Sequence, residues 1–161
     1  MEENALYETQ PSSDIIVCAS RGGQGSRAVL HAATDYARES NALIRFLYVV
    51  DESQFDDADP VLRPALLQEL RWTGHTLMEL ASRRGHQAGV TSEVVILNGN
   101  TRDAIITYLL EHKAKALFLG APRGTTANIF GDDEIEQFGT EIEKRTKTKV
   151  AIVRPEDEVN S

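Results

Sequence analysis

The chain has 161 residues, the length of one domain, and 41% of them are apolar, so a core of this size can form without disulfides or a structural metal. Seventeen Lys plus Arg against 25 Asp plus Glu leave a net charge of −8, which argues against phosphate-backbone binding and points away from nucleic-acid partners. Cys18 is the single cysteine, and neither a basic-then-apolar leader nor a long uncharged apolar stretch is present, so a cytoplasmic protein with no direct membrane insertion is expected.

Residues 1–13 are polar and acidic without periodicity and read as a flexible tail, as do residues 155–161, which leaves 14–154 as the domain. Residues 14–19 (DIIVCA) predict a first strand. A glycine-rich loop follows, then a helix over 26–40 with Ser26 as N-cap and Val29, Ala33, Tyr36 and Ala37 on one stripe. Residues 43–50 (LIRFLYVV) form a second strand, ending at Val50, and the acidic stretch 51–59 reads as a solvated loop. A long helix is expected from about Leu62 to Arg84, its stripe made of Leu62, Leu66, Leu70, Leu77 and Ala81 and skipping Thr73 and Gly74. Residues 92–97 predict a third strand, and Asn100 or Thr101 caps a helix that carries Ile105, Tyr108 and Leu109. A fourth strand over 116–120, a helix over 132–146 with Ile135, Phe138 and Ile142 inward, and a fifth strand over 150–153 complete the order. Gly139 weakens that last helix slightly.

The strands are near-continuous apolar runs, as expected of strands covered on both faces, and they alternate with helices. The fold class is therefore α/β: a doubly wound five-stranded parallel sheet of order 3-2-1-4-5 with helices on both faces. Ligands of such sheets sit beyond the carboxyl ends of the strands, which directs attention to the loops after the first and fourth strands.

After the first strand run Ser20, Arg21, Gly22, Gly23, Gln24, Gly25 and Ser26, a loop whose glycines allow close backbone approach and whose helix start favours an anion. The stretch GQGSRA at 23–28 matches the dinucleotide fingerprint, with Asp51 as the ribose partner, although its first glycine falls four residues past the strand. The same loop weakly matches the phosphate loop of ATP pyrophosphatases, with Gly25 where that motif has Asp. After the fourth strand come Gly120, Arg123, Gly124, Thr125 and Thr126. In a 3-2-1-4-5 sheet the two loops adjoin, so Arg21 and Arg123 would share a crevice suited to phosphate or carboxylate, or would be two solvated arginines. Phe130 could act as a flap over it. Asp132, Asp133 and Glu134 at the last helix start complement its dipole and oppose a triphosphate there unless magnesium intervenes. The histidines His31, His75, His86 and His112 show no metal-ligand spacing, Cys18 reads as a buried hydrophobe, and Trp72 as core or partner-facing.

These residues together resemble the universal stress protein family. The match runs through RAVLHAATDYA at 27–37, LYVV at 47–50, VVILNGN at 94–100 with Asp103 to Ile106, ALFLG at 116–120 and VAIVR at 150–154. The resemblance implies a Rossmann-like, adenine nucleotide alpha hydrolase-like fold, a regulatory or stress-response binding role, and ATP or AMP, with Mg, as the ligand. It also implies a homodimer through the fifth strand, Val150 to Arg154. Ser20 stands where the family has Asp, Gly120 and Gly124 are separated by three residues instead of two, and fourteen residues separate Gly124 from Gly139-Thr140. The implied nucleotide or anion pocket is thus an altered one, formed by Ser20, Arg21, Gly22, Gly23, Gly25, Ser26, Val50, Gly120, Arg123, Gly124 and Thr125. No residue is assigned a catalytic role, no metal ligand is assigned, and no cofactor follows with certainty. The alternatives are a small nucleotide-using enzyme of ATP hydrolase type, for which Asp51 or Asp132 to Glu134 would supply the carboxylate, and an interaction protein that regulates a transporter.

Overall fold

The computed structural model describes residues 14–20, 26–120 and 132–154, with the side chains of Ser26, Asp132 and Asp133 outside that description. In chain order the elements are β1 (Ile15–Ala19), α1 (Ser26–Ser40), β2 (Leu43–Val50), a short 3-10 turn (Glu52–Phe55), α2 (Arg63–Gln87), β3 (Ser92–Asn98), α3 (Thr101–His112), β4 (Ala116–Gly120), α4 (Asp132–Thr146) and β5 (Lys149–Val153). The strands form one five-stranded sheet of order β3-β2-β1-β4-β5, and each neighbouring pair is parallel. The expected architecture and strand order are both present.

Strand alternation divides the core in two. Ile16, Cys18, Ile44, Phe46, Tyr48 and Val50 face α1 and α2, where Val29, Ala33, Met78 and Ala81 meet them. Val17, Ala19, Leu47, Val49, Leu117 and Leu119 face the other side, where Ile105, Leu109, Phe138 and Ile142 of α3 and α4 cover them. Phe46, Leu47, Leu117 and Ile142 are among the largest fully buried side chains. Burying a side chain of this size stabilises by about 1.5–3 kcal/mol.

The helices keep their predicted places with three instructive differences. In α2 the inward stripe is Leu67, Leu70, Gly74, Leu77, Met78 and Ala81, and Leu62, at the N-cap position, is 57% exposed. Gly74 lies inside that stripe because the Tyr48 ring occupies the space of its missing side chain: a Cβ there would fall 2.2 Å from Cδ1 of Tyr48. Gly139 of α4 meets β5 in the same manner, with Val150 Cγ1 only 3.3 Å from where its Cβ would stand, so this glycine marks close packing of helix on strand. Tyr36 is 38% exposed, with its ring 5.5 Å from that of Phe118, and Trp72 is 65% exposed and so not a core residue. The predicted start of α3 holds, with the Asn100 side chain accepting from the Asp103 N–H at 3.1 Å.

Candidate functional site

β1 and β4 are neighbours in register, with Ala19 beside Leu119, so Ser20 and Gly120 come together at the carboxyl edge of the sheet. Ser20 is buried, and its N–H reaches the Leu47 carbonyl at 3.4 Å. Next to this point lies a cleft of about 290 Å³ between the sheet edge, α3 and α4. Its sheet wall is Ala19, Ser20, Leu47, Val49, Leu119 and Gly120. Thr101, Arg102 and Ile105 of α3 and Glu134, Ile135 and Phe138 of α4 close the sides. The interior is thus apolar, with a hydroxyl or charge at several points of the rim, as in small-ligand sites.

The period of β2 decides which of its residues reach this cleft. Leu47 and Val49 line it, whereas the Tyr48 and Val50 side chains belong to the core on the α1 and α2 side. Val50 still acts at this end of the sheet through its carbonyl, which accepts from the Gly99 N–H at 3.0 Å. That bond ties the end of β2 to the turn that opens α3.

Asp51 makes the same tie with its side chain. Oδ1 accepts from the Ser53 N–H at 3.0 Å and the Ser53 hydroxyl at 2.6 Å, and Oδ2 accepts from the Thr101 N–H at 3.3 Å and hydroxyl at 3.2 Å. The hydroxyl bond from Ser53, joined by the Ser53 and Thr101 N–H groups and the Thr101 hydroxyl, lowers the Asp51 carboxyl from its usual value against the opposing effect of burial. Both carboxylate oxygens are engaged, so Asp51 serves here as a clamp between the β2 end and the α3 start. This arrangement does not suit the ribose-binding role that the dinucleotide fingerprint would give it. The acidic stretch is also more ordered than a simple solvated loop: Glu52–Phe55 winds into a 3-10 turn, and Asp56 pairs with Arg63 at 2.9 Å.

Arg102 projects from the first turn of α3 and rests its guanidinium over the Phe138 ring, 5.2 Å from the centroid. Glu134 lines the same cleft from the first turn of α4. A second polar group, Arg45 with Glu93 at 3.0 Å, the Tyr108 hydroxyl at 2.9 Å and His112 Nδ1 at 3.0 Å, joins β2, β3 and α3 away from the cleft. Cys18 is buried in β1, and burial pushes its thiol up to about 12. Among the described residues no group of three or more His, Cys, Asp or Glu could hold a metal ion, and no helix is long and apolar enough to cross a membrane.

Of the pocket residues expected from sequence, Ser20 and Gly120 line the cleft, whereas Val50 does not: its side chain belongs to the core on the other face and its carbonyl bonds Gly99. Ser26 opens α1. Arg21, Gly22, Gly23, Gly25, Arg123, Gly124 and Thr125 lie outside the described residues, as do Thr126, Phe130 and both tails. Thr101, Arg102 and Phe138 were not anticipated as cleft residues. The alternation of β2 together with the predicted α3 start would have pointed to Thr101 and Arg102. Nothing local marks Phe138 beyond its inward place on α4.

A family model for universal stress proteins matches residues 11–154. The chain belongs to the universal stress protein family. Solved structures bear out the family fold across nearly the whole chain. A universal stress protein from Burkholderia pseudomallei is 19% identical with a TM-score of 0.66, covering 89% of this chain and 98% of its own. A universal stress protein in complex with cAMP is 21% identical with a TM-score of 0.56, covering 88% and 97%. An Arabidopsis thaliana family member with AMP bound is 17% identical with a TM-score of 0.62, covering 88% and 91%. No curated protein matches.

Proposed function

We propose that this universal stress protein is a cytoplasmic regulatory binding module whose ligand is a nucleotide, held in the cleft at the carboxyl ends of β1, β2 and β4. The observation that carries this reading is the cleft itself: an apolar slot with Ser20, Thr101, Arg102 and Glu134 at its rim, at the end of the sheet where doubly wound folds bind ligands. Its walls suit a flat base and its rim suits polar substituents. Two solved family members, one in complex with cAMP and one with AMP bound, support the same ligand class. The glycines Gly22, Gly23 and Gly25 and the arginines Arg21 and Arg123 of the flanking loops would add backbone and cationic donors. Binding and release of the nucleotide, with Mg where a polyphosphate is bound, would be the signal, and no catalytic step is required.

The test is a thermal-shift titration of the purified protein with ATP, ADP, AMP and cyclic AMP, with and without magnesium. A ligand at a hundred times its dissociation constant adds about 2.7 kcal/mol, a rise of several degrees for a domain of this size. No rise with any of them would remove nucleotide binding and favour a domain that works through protein partners.

The assembly we propose is a homodimer through β5, whose outer edge has no strand partner among the described residues. The Val150 N–H donates to Glu143 Oε1 at 3.0 Å, so pairing two β5 edges must compete with or preserve that contact. Sedimentation at high concentration should show twice the chain mass, and a monomer would refute this assembly.

A further inference from the structure

The charges on the cleft rim point to one kind of nucleotide. Arg38, Arg45, Arg63, Arg145 and Arg154 each meet a carboxylate at 2.9–3.7 Å. Arg102, like Arg71, Arg83 and Arg84, meets no carboxylate among the described residues, and its guanidinium lies on the Phe138 ring beside the cleft. A guanidinium held by a ring keeps its N–H fork available for a phosphate. Across the cleft Glu134 has no cationic partner among the described residues, and it occupies the first turn of α4, where a phosphate would otherwise gain most from the helix dipole. Among the described residues the cleft lining thus carries one cation and one carboxylate. The enclosed volume, about 290 Å³, falls at the low end for small-ligand pockets.

We propose that Arg102 and Glu134 set the ligand's charge: Arg102 receives one anionic group and Glu134 repels further ones, so the cleft selects a mononucleotide over a di- or triphosphate. This rests on the nucleotide reading above and adds the ligand's phosphate count and the residues that read it. Both side chains are exposed at the rim, so replacing them removes charge without opening the core.

Isothermal titration at fixed ionic strength without divalent cations tests it, with adenosine, AMP and ATP as probes against the wild type, Arg102→Ala, Arg102→Gln and Glu134→Gln. The wild type is expected to bind AMP about tenfold or more tighter than ATP. Either Arg102 variant should weaken AMP by about tenfold while changing adenosine by less than about twofold, because only the charge-assisted contact is lost. Glu134→Gln should tighten ATP by about threefold or more and leave adenosine unchanged. Equal wild-type affinity for AMP and ATP, or AMP affinity unmoved in both Arg102 variants, would overturn this proposal while leaving nucleotide binding intact. A wild type that binds none of the probes would overturn both.

Discussion

The two faces of the sheet are covered by similar materials and end differently. On the side of α1 and α2 the contact is close near the end of β2: Tyr48 lies against Gly74, and Phe46, Met78 and Val50 belong to the same buried cluster. On the side of α3 and α4 the same strands present Leu47, Val49 and Leu119 to a cleft, beside which Arg102 rests on Phe138. A glycine at the point of closest approach lets α2 settle onto the strand. A pair of helices that begin with charged residues beside the strand ends leaves room for a ligand. One sheet thus has a face closely packed at Tyr48 and Gly74 that supplies stability and a cleft face that supplies a site.

Breaking the closely packed face should cost most. Phe46→Ala removes one of the largest fully buried side chains, and a loss of about 3–5 kcal/mol is expected in urea unfolding. Gly74→Ala is next. Its Cβ would overlap the Tyr48 ring, so about 1–3 kcal/mol should be lost although alanine is the better helix former. In a Tyr48→Ala background the same change should become neutral or stabilising, and a Gly74→Ala cost that persisted there would show that the ring is not its cause.

The cleft face should respond more gently and through pH. Asp51 has a lowered pKa in the folded protein, so its contribution is fully present above the usual aspartate value of about 3.9 and is lost as the pH falls through the lower folded value. Asp51→Asn should therefore flatten the acid limb of the stability curve and cost about 0.5–2 kcal/mol at neutral pH, in line with lost helix-start contacts. Identical acid limbs for wild type and variant would show that the clamp carries no net stability. The smallest effect expected is at Arg102, where loss of a rim cation–π contact should lower stability by about 1 kcal/mol or less while, on our proposal, AMP affinity falls about tenfold.

Much of the fold is written in local patterns. The strands read directly because LIRFLYVV and ALFLG are apolar enough to be buried on both faces, whereas the order 3-2-1-4-5 is an assumption about doubly wound sheets that the strand pairing bears out. The bounds of α4 coincide with its pattern. What sequence reading misplaced was the centre of the α2 stripe, because a glycine carries no hydropathy and Gly74 is defined by what Tyr48 does to it across the sheet. The cleft was legible only where it touches strand ends, at Ser20 and Gly120. Arg102 over Phe138 and Asp51 on Thr101 join residues far apart in sequence, so no spacing along the chain announces either pair. Asp51 looked like a ligand partner because it follows β2, and only the positions of Ser53 and Thr101 reveal that its oxygens are already engaged.

The central claim is that the ligand enters on the α3 and α4 face and not on the other. Amide chemical shifts of the isotope-labelled protein during AMP titration test this most directly. The account predicts the largest changes at Ser20, Leu47 to Val49, Thr101 to Ile105, Gly120 and Phe138, with Gly74, Met78 and Ala81 unmoved. Changes centred on α1 and α2, or none at saturating AMP, would contradict it.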